Sequence, residues 1–212
     1  MVPAGAARRR SQVEPEPIGH RERLIAAMER SIEERGYRDT TVADVVRIAR
    51  TSRRTFYEYF QDRDACLLAL FDATNDEVMR RIAASVEPDS PWDEQIDRAL
   101  SVYLDSVASR PGVSQCFAHE LATLGEAGAT RQQLATEHFA ELLVRLVESG
   151  RRERREPAAH PLTMDMAIMI VGGLRDLVVT AVERGRDVHE LHPVAGKAIN
   201  AILNATVLER DA

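Results

Sequence analysis

Between Val45 and Tyr57 the chain carries four arginines, Arg47, Arg50, Arg53 and Arg54, and no acidic residue. Thr55, Tyr57 and Tyr59 lie among or just after them. A guanidinium can grip a phosphate, or the O6/N7 edge of guanine, through two parallel hydrogen bonds. Tyrosine and threonine hydroxyls reach phosphate oxygens and fix register without reading sequence. The chemistry these residues suit is therefore contact with double-stranded DNA. The competing reading is a solvated basic face on two packed helices. The convergence of charge, cap and aromatic hydroxyls on one short segment favours DNA.

The spacing around these residues predicts the elements that hold them. Val42, Val45, Val46 and Ala49 recur at i, i+3, i+4 and i+7, one apolar stripe of a helix. Thr41 can cap it, with Asp44 three residues on in a capping-box-like position. The stripe stops at Arg50-Thr51, and Ser52 is a good N-cap for a second short helix, Arg53 to Tyr59. Two short helices joined by a few residues make a helix-turn-helix. In such a motif the first residues of the second helix, here Arg53, Arg54 and Thr55, meet base edges in the major groove.

At these residues the sequence resembles the TetR family of bacterial transcription regulators. Thr41, Val42, Ala49, Ser52, Thr55, Phe56, Tyr57, Tyr59, Phe60 and Arg63 match the family's N-terminal pattern position by position, and Gly36-Tyr37 matches the end of its first helix. The resemblance is specific over about Leu24 to Phe71; beyond that it rests on length and an all-helical pattern. One position departs. The family has Gly-Val in the turn where this chain has Arg50-Thr51. Either the turn differs slightly or Arg50 is kept for a phosphate contact. The resemblance implies that Thr41, Arg50, Ser52, Arg53, Arg54, Thr55, Tyr57, Tyr59 and Arg63 form the DNA-binding set. Thr41, Tyr57, Tyr59 and Arg63 would be phosphate clamps.

The 212 residues suffice for a small head and a larger core domain. Hydrophobic residues make up 44% and aromatics only 5%, so aliphatic side chains must fill most of the interior. The formal net charge is -6, which opposes attraction of the whole molecule to DNA. Residues 1–66 nevertheless hold 13 Arg against 11 Asp+Glu, whereas the rest is acidic. A mildly basic head on an acidic body offers DNA one surface. Cys66 and Cys116 have no metal-ligand spacing and read as small buried hydrophobes. No apolar run reaches transmembrane length and the start does not resemble a signal peptide, which points to the cytoplasm with no membrane partner.

The expected fold is all-α: an N-terminal three-helix helix-turn-helix head on a larger α-helical ligand-binding and dimerisation domain, about nine helices in all. Residues 1–19, with Arg8-Arg9-Arg10, read as a disordered arm; residues 20–66 as the head; residues 67–212 as the body. The arm could touch a minor groove or simply be solvated. Helix one is expected from His20 to Tyr37, and Asp62 is expected to cap a long helix from Arg63. Pro88 to Pro91 breaks the chain before a helix marked by Trp92, and Pro111 opens the next. Gly125 to Gly128 is expected to be a loop before a helix at Thr130 to Ser149. Gly150 to Pro161, with the run RRERRE, is expected to be a second loop. Two final helices, near Leu162–Glu183 and Leu191–Leu208, are separated by Gly185.

Met164 to Leu174 is apolar almost all the way round, as a helix buried on more than one side would be. Leu191, Val194, Ala195, Ala198, Ile199, Ile202 and Thr206 line one stripe of the last helix. The resemblance implies that these two helices pair with their mates in a homodimer, with Gly172 and Gly173 allowing close approach. A buried intradomain helix is the alternative.

The family resemblance also implies a pocket for a small inducer. Candidate liners are Trp92, Tyr103, Phe117, Glu120, His138, Leu142, Met166 and Met169. His138 shares the Leu134–Leu142 stripe and is expected to face inward. A lone inward histidine is more often a satisfied core residue, and methionines more often fill space. No catalytic constellation appears: His119-Glu120 lacks the second histidine of HExxH, and no glycine-rich phosphate loop, metal site or cofactor motif is present. The reading is a TetR-like repressor that binds a palindromic operator as a dimer and is released by a small-molecule inducer. Two alternatives stay open: a ligand-independent DNA-binding protein controlled by a protein partner, and an all-helical enzyme that reuses the head.

Overall fold

The computed structural model describes residues 19–87, 90–153 and 162–208. The Arg8–Arg10 arm, Pro88 and most of the second expected loop lie outside the described residues. Nine α-helices are present among those described, with two short 3-10 turns and no strand. The all-helical fold class read from the sequence holds.

The head begins with α1, His20–Arg35, which buries Leu24, Ala27, Met28 and Ile32 on one face. Gly36, at φ 81°, ends it. Ser31 is also buried, and its Oγ meets Thr40 Oγ1 at 2.9 Å; Thr40 in turn donates to the Gly36 carbonyl at 2.8 Å. A buried polar pair satisfied in this way fixes the α1–α2 corner. Then come α2, Val42–Ile48, and α3, Arg53–Tyr59. Phe56 is the inward anchor of α3, fully buried among Leu24, Met28, Val45 and Leu67.

The helix α4, Arg63–Ser85, starts at Asp62, whose carboxylate accepts the Ala65 N–H at 2.7 Å. Its first half packs Cys66, Leu67 and Leu70 into the head's core, together with Val113 and Cys116 of the body. Its second half packs Val78 and Ile82 against Leu142 and Leu146. One continuous helix thus belongs to both cores.

The body comprises α5 (Trp92–Ala108), α6 (Pro111–Glu120), a 3-10 turn (Leu121–Leu124), α7 (Gly125–Glu153), α8 (Met164–Glu183), a second 3-10 turn (Val188–Leu191) and α9 (His192–Leu208). Pro111 opens α6, as its position in the sequence suggests. Thr163 caps α8 by accepting the Met166 N–H.

Two loop expectations are corrected. Gly125 to Gly128 is the first turn of α7, not a loop. Gly125, at φ 61°, makes the corner out of the 3-10 turn. Gly128 is there for space: a Cβ would stand 2.1 Å from the Leu121 carbonyl oxygen. The second loop does not begin at Gly150, because α7 continues through it to Glu153. A single glycine costs a helix about 1 kcal/mol, which a 29-residue helix tolerates.

The last helix is also more divided than one stripe suggests. Leu191, Ala195, Ile199 and Leu203 face inward, whereas Val194 and Ala198 face outward. Thr206 lies where side chains are not described.

Candidate DNA-binding face and body cavity

The geometry of α2 and α3 follows from their caps. Thr41 Oγ1 accepts the Asp44 N–H at 3.2 Å, and Asp44 Oδ2 accepts the Thr41 N–H at 3.2 Å, a reciprocal capping box. The Thr41 hydroxyl also donates to Asp44 Oδ2 at 2.6 Å, which with the backbone bond holds that carboxyl below its usual range. Ser52 Oγ accepts the Thr55 N–H at 3.0 Å and starts α3.

Between them the chain closes α2 through two bonds: Arg50 N–H to the Arg47 carbonyl at 3.3 Å and Thr51 N–H to the Val46 carbonyl at 3.0 Å. This is the double bond pattern of a Schellman motif, whose outer residue is usually glycine. Gly185 fills that place after α8, with the same pair of bonds to Val182 and Ala181. At α2 it is Arg50, the one non-glycine residue with positive φ (50°) among those described. Arg50 thus takes the backbone conformation that Gly185 takes after α8.

Arg53, Arg54, Tyr57 and Tyr59 are exposed on the outer side of α3, and Arg47 and Arg50 flank them. Arg53 has no ion pair among the described residues, while Arg54 reaches Glu58 at 3.4 Å in an exposed i,i+4 pair. Such pairs contribute little and exchange readily for a phosphate or base. Glu58 is an acid on this face that the count ending at Tyr57 does not include.

Arg63 is placed differently from the expected phosphate clamp. Its Nη1 donates to the carbonyls of Tyr37 (3.2 Å) and Thr40 (2.9 Å), and its guanidinium lies 4.1 Å from the Tyr37 ring centroid. Tyr37 donates to Asp64. Burial first, then that hydrogen bond, raises the Tyr37 hydroxyl well above its ordinary pKa and keeps it a donor. Arg63 therefore ties the end of α1 to the start of α4.

Inside the body lies a cavity of about 210 Å³. Its walls come from α4 through α8, with Ile199 of α9, and are overwhelmingly apolar: Phe71, Val78, Leu100, Val107, Leu146 and Val178 among them. Of the expected liners, Tyr103, Phe117 and Leu142 do line it. Phe117 stands edge-on to Phe71, with centroids 5.1 Å apart. Desolvation pushes the Tyr103 hydroxyl up to about 12, partly offset by the charge of Arg175.

The other five expected liners do not line this cavity. His138 is exposed, as is Leu134, because the inward stripe of α7 runs through Thr136, Phe139, Leu142 and Leu146, one residue and so about 100° round from His138. Met169 is 57% exposed on the outer face of α8. Glu120 turns to Arg38 at 2.9 Å. Trp92 and Met166 are not on the cavity wall; they pack behind it in a cluster with Ile96, Leu162 and Ile199. The sequence reading missed Arg175, Thr136, Asn75 and Arg110 as liners. The signal for Arg175 was present: it stands four residues after Val171 and three before Val178 on an apolar stripe.

Head and body meet through α1 and α6. Glu33 accepts the N–H groups of Gly112 (3.2 Å) and Val113 (2.8 Å) at the N-terminus of α6, where a carboxylate suits the helix dipole. Arg110 pairs with Glu29 at 3.1 Å. Both thiols are inert: burial pushes Cys66 and Cys116 up to about 12. No metal-binding cluster and no helix long and apolar enough to cross a membrane occur among the described residues.

An all-helical chain whose capped helix-turn-helix presents arginines outward, on a larger helical body, has the architecture of a DNA-binding transcriptional regulator. The family model "Bacterial regulatory proteins, tetR family" matches residues 24–70, which span α1 to the first turns of α4. Residues 24–70 therefore carry a helix-turn-helix domain of the tetR type. It is 25% identical over 88 residues to the uncharacterized HTH-type transcriptional regulator YhgD of Bacillus subtilis (strain 168). That match covers 42% of this chain and 46% of YhgD, so the chain spans under half the length of this relative. Among solved structures it is similar to the fatty acid degradation regulator FadR of Bacillus halodurans (TM-score 0.69, 19% identity, 86% of this chain and 97% of that one). FadR of Bacillus subtilis, in complex with stearoyl-CoA, gives a TM-score of 0.65 at 18% identity, covering 88% and 97%. A TetR-family regulator of Pectobacterium atrosepticum gives 0.67 at 24% identity, covering 89% and 94%. At these identities the likeness is one of fold.

Proposed function

We propose that this chain is a transcriptional repressor that binds a palindromic operator as a homodimer and releases it when a small molecule enters the body cavity. The observation that carries the reading is that α4 walls the cavity with one half and anchors the helix-turn-helix core with the other. A ligand that changes the seat of α4 changes the seat of the head. Arg53, Arg54 and Thr55 are assigned to base edges and Thr41, Arg50, Ser52, Tyr57 and Tyr59 to phosphates; Arg63, first expected among the phosphate clamps, is assigned to positioning them. Residues 20–66 act as the DNA-binding domain and residues 67–212 as the ligand-binding and dimerisation domain.

What supports a dimer is the outer face of α8 and α9. Met169 (57% exposed), Leu177 (46%) and Val194 (55%) stand out from the body, and a Cβ at Gly172 or Gly173 would meet nothing. One helix-turn-helix covers too little DNA for tight specific binding, so two half-sites are expected about 34–36 Å apart. FadR of Bacillus subtilis is a fold neighbour solved with a small ligand, which supports ligand control here.

The test is selection of bound fragments from genomic DNA, followed by a search for ligands that release the selected site. A palindrome with half-sites one helical turn apart, released by a compound that also raises Tm, is the expected result. Release by a protein partner, with no compound shifting Tm, would favour the ligand-independent alternative. Turnover by the body would favour the enzyme.

A further inference from the structure

The cavity carries two arginines, Arg110 and Arg175, and no acidic residue on its walls, in a protein of net charge -6. The two arginines are not equivalent. Arg110 is neutralised by Glu29 across the head–body contact. The one acid that Arg175 meets among the described residues is its sequence neighbour: Nε and Nη2 donate to Asp176 Oδ1 at 3.2 and 2.9 Å, and the Asp176 side chain is 72% exposed. An ion pair with so solvated a carboxylate is weak and exchangeable. Nη1 lies 3.5 Å from Thr136 Oγ1, another wall residue, and keeps donors free. With its side chain 36% exposed, Arg175 stands at the rim between cavity and solvent.

The Tyr103 hydroxyl is the second polar feature. It is on the cavity wall, has no hydrogen-bond partner among the described residues, and feels the charge of Arg175. Tyr103 is half-buried, and a hydroxyl left open on a mostly apolar wall is available to a ligand or water. Apart from Thr136 and Gln132 one turn before it, the wall near this end is apolar, with Val171, Leu174, Val178, Phe139 and Leu143.

From this geometry we propose that the ligand is an organic monocarboxylate, its apolar body in the cavity and its carboxylate held by Arg175, with Tyr103 as a second donor. The inference rests on the reading of the cavity as an inducer site. A carboxylate accepts a guanidinium in bidentate geometry and gains strength where water is excluded. Size limits the body. An apolar cavity of about 150 Å³ takes up benzene, so one of about 210 Å³ suits a single substituted ring or a chain of roughly eight carbons.

The test measures binding to the full chain by calorimetry for two matched pairs: octanoate with octan-1-ol, and phenylacetate with 2-phenylethanol. Octanoyl-coenzyme A is included to separate a free acid from its thioester. At least one acid is expected to bind about tenfold more tightly than its alcohol, because hydrogen bonds to charged groups exceed neutral ones. Arg175→Gln should abolish that preference and leave the alcohol's affinity unchanged, which also shows that the variant folds. Tyr103→Phe should weaken the acid and spare the alcohol. If acid and alcohol bind alike, or Arg175→Gln keeps the preference, the carboxylate assignment is overturned while the cavity stands as a ligand site. Binding of octanoyl-coenzyme A alone overturns the free acid in favour of the thioester. If no probe binds, both the assignment and the inducer reading of the cavity fall.

Discussion

Arg50 and the arginines of α3 show how one residue type serves different ends within a few positions. Arg50 holds φ 50°, a region that costs a side-chain-bearing residue about 1–2 kcal/mol. Its guanidinium is exposed beside α3, so the strain is kept where a cation can meet phosphate. Arg50→Gly is therefore expected to raise stability by about 1 kcal/mol in urea melts while weakening operator and random DNA alike. Unchanged DNA affinity would mean that Arg50 makes no contact. Arg53 and Arg54 should behave oppositely in kind. Alanine at a base-reading position should cost about 1–3 kcal/mol for the operator and relax the choice of one base pair per half-site. Operator affinities equal to wild type for both single variants would place another surface in the groove.

At the scale of the element, the helices of the head are set by their caps and the links between helices by a few polar side chains. Arg63 crosses from α4 to the carbonyls of Tyr37 and Thr40. Its loss should weaken binding to every DNA sequence and lower Tm together; Arg63→Lys should restore neither fully, since an ammonium lacks the planar fork that stacks on Tyr37. A variant with normal Tm and a salt slope lower by about 1 would restore the simple phosphate clamp. The second 3-10 turn is held similarly. His189 lies between Asp105 of α5 (3.0 Å) and Asp187 (2.9 Å). Those hydrogen bonds, that to Asp105 foremost, raise its pKa. The protonated form is the one favoured by folding, so its contribution is complete below the ordinary histidine value and is lost as pH rises through the raised folded value. The imidazole is about half exposed, and the effect is expected to be small. Tm measured from pH 5 to 8 should fall slightly less in His189→Asn than in wild type; an identical pH profile would show that the contact contributes nothing.

At the scale of the whole molecule, the interface and the switch depend on which faces the body leaves outside. Glu at Leu177 or Val194 would place charge on the outer face of α8 or α9 without entering the core. Either variant should keep its helical content, sediment as a monomer and lose operator binding. Val171 and Ile199 are poorer probes: Ile199 is only 7% exposed and Val171 packs against the same cluster, so charge there should unfold the body instead. A full dimer from Leu177→Glu would move the interface elsewhere. For the switch, an inducer must favour the DNA-free arrangement, since equal affinity for both shifts nothing. Leu142→Trp narrows the cavity and should reduce the inducer response while sparing operator affinity in its absence. Operator DNA should weaken inducer binding by the factor by which inducer weakens DNA binding.

The sequence by itself determined the head. Its caps, Thr41 with Asp44, Ser52 and Asp62, act within three residues, and its stripe Val42–Ala49 needs only helical periodicity to be read. Arg53 and Arg54 are exposed because Phe56 must be buried, which is again local. The tertiary structure decided the body. Which side of an apolar helix faces a cavity, a core or a partner depends on neighbours far away in the chain. The stripe from Leu134 to Leu142 looked inward at His138, but the packing of α7 on α4, α5 and α8 turned it by one residue. Gly128 read as a loop because the Leu121 carbonyl that it accommodates is brought there by the 3-10 turn. The bonds of Arg63 to the carbonyls of Tyr37 and Thr40 were not legible in the sequence, because they form only once α1 and α4 pack together. Arg175, hidden in an apolar run, gains meaning only when five helices close round the space beside it. Local hydrogen bonds are written in adjacent residues; a cavity is a property of the surfaces that do not meet.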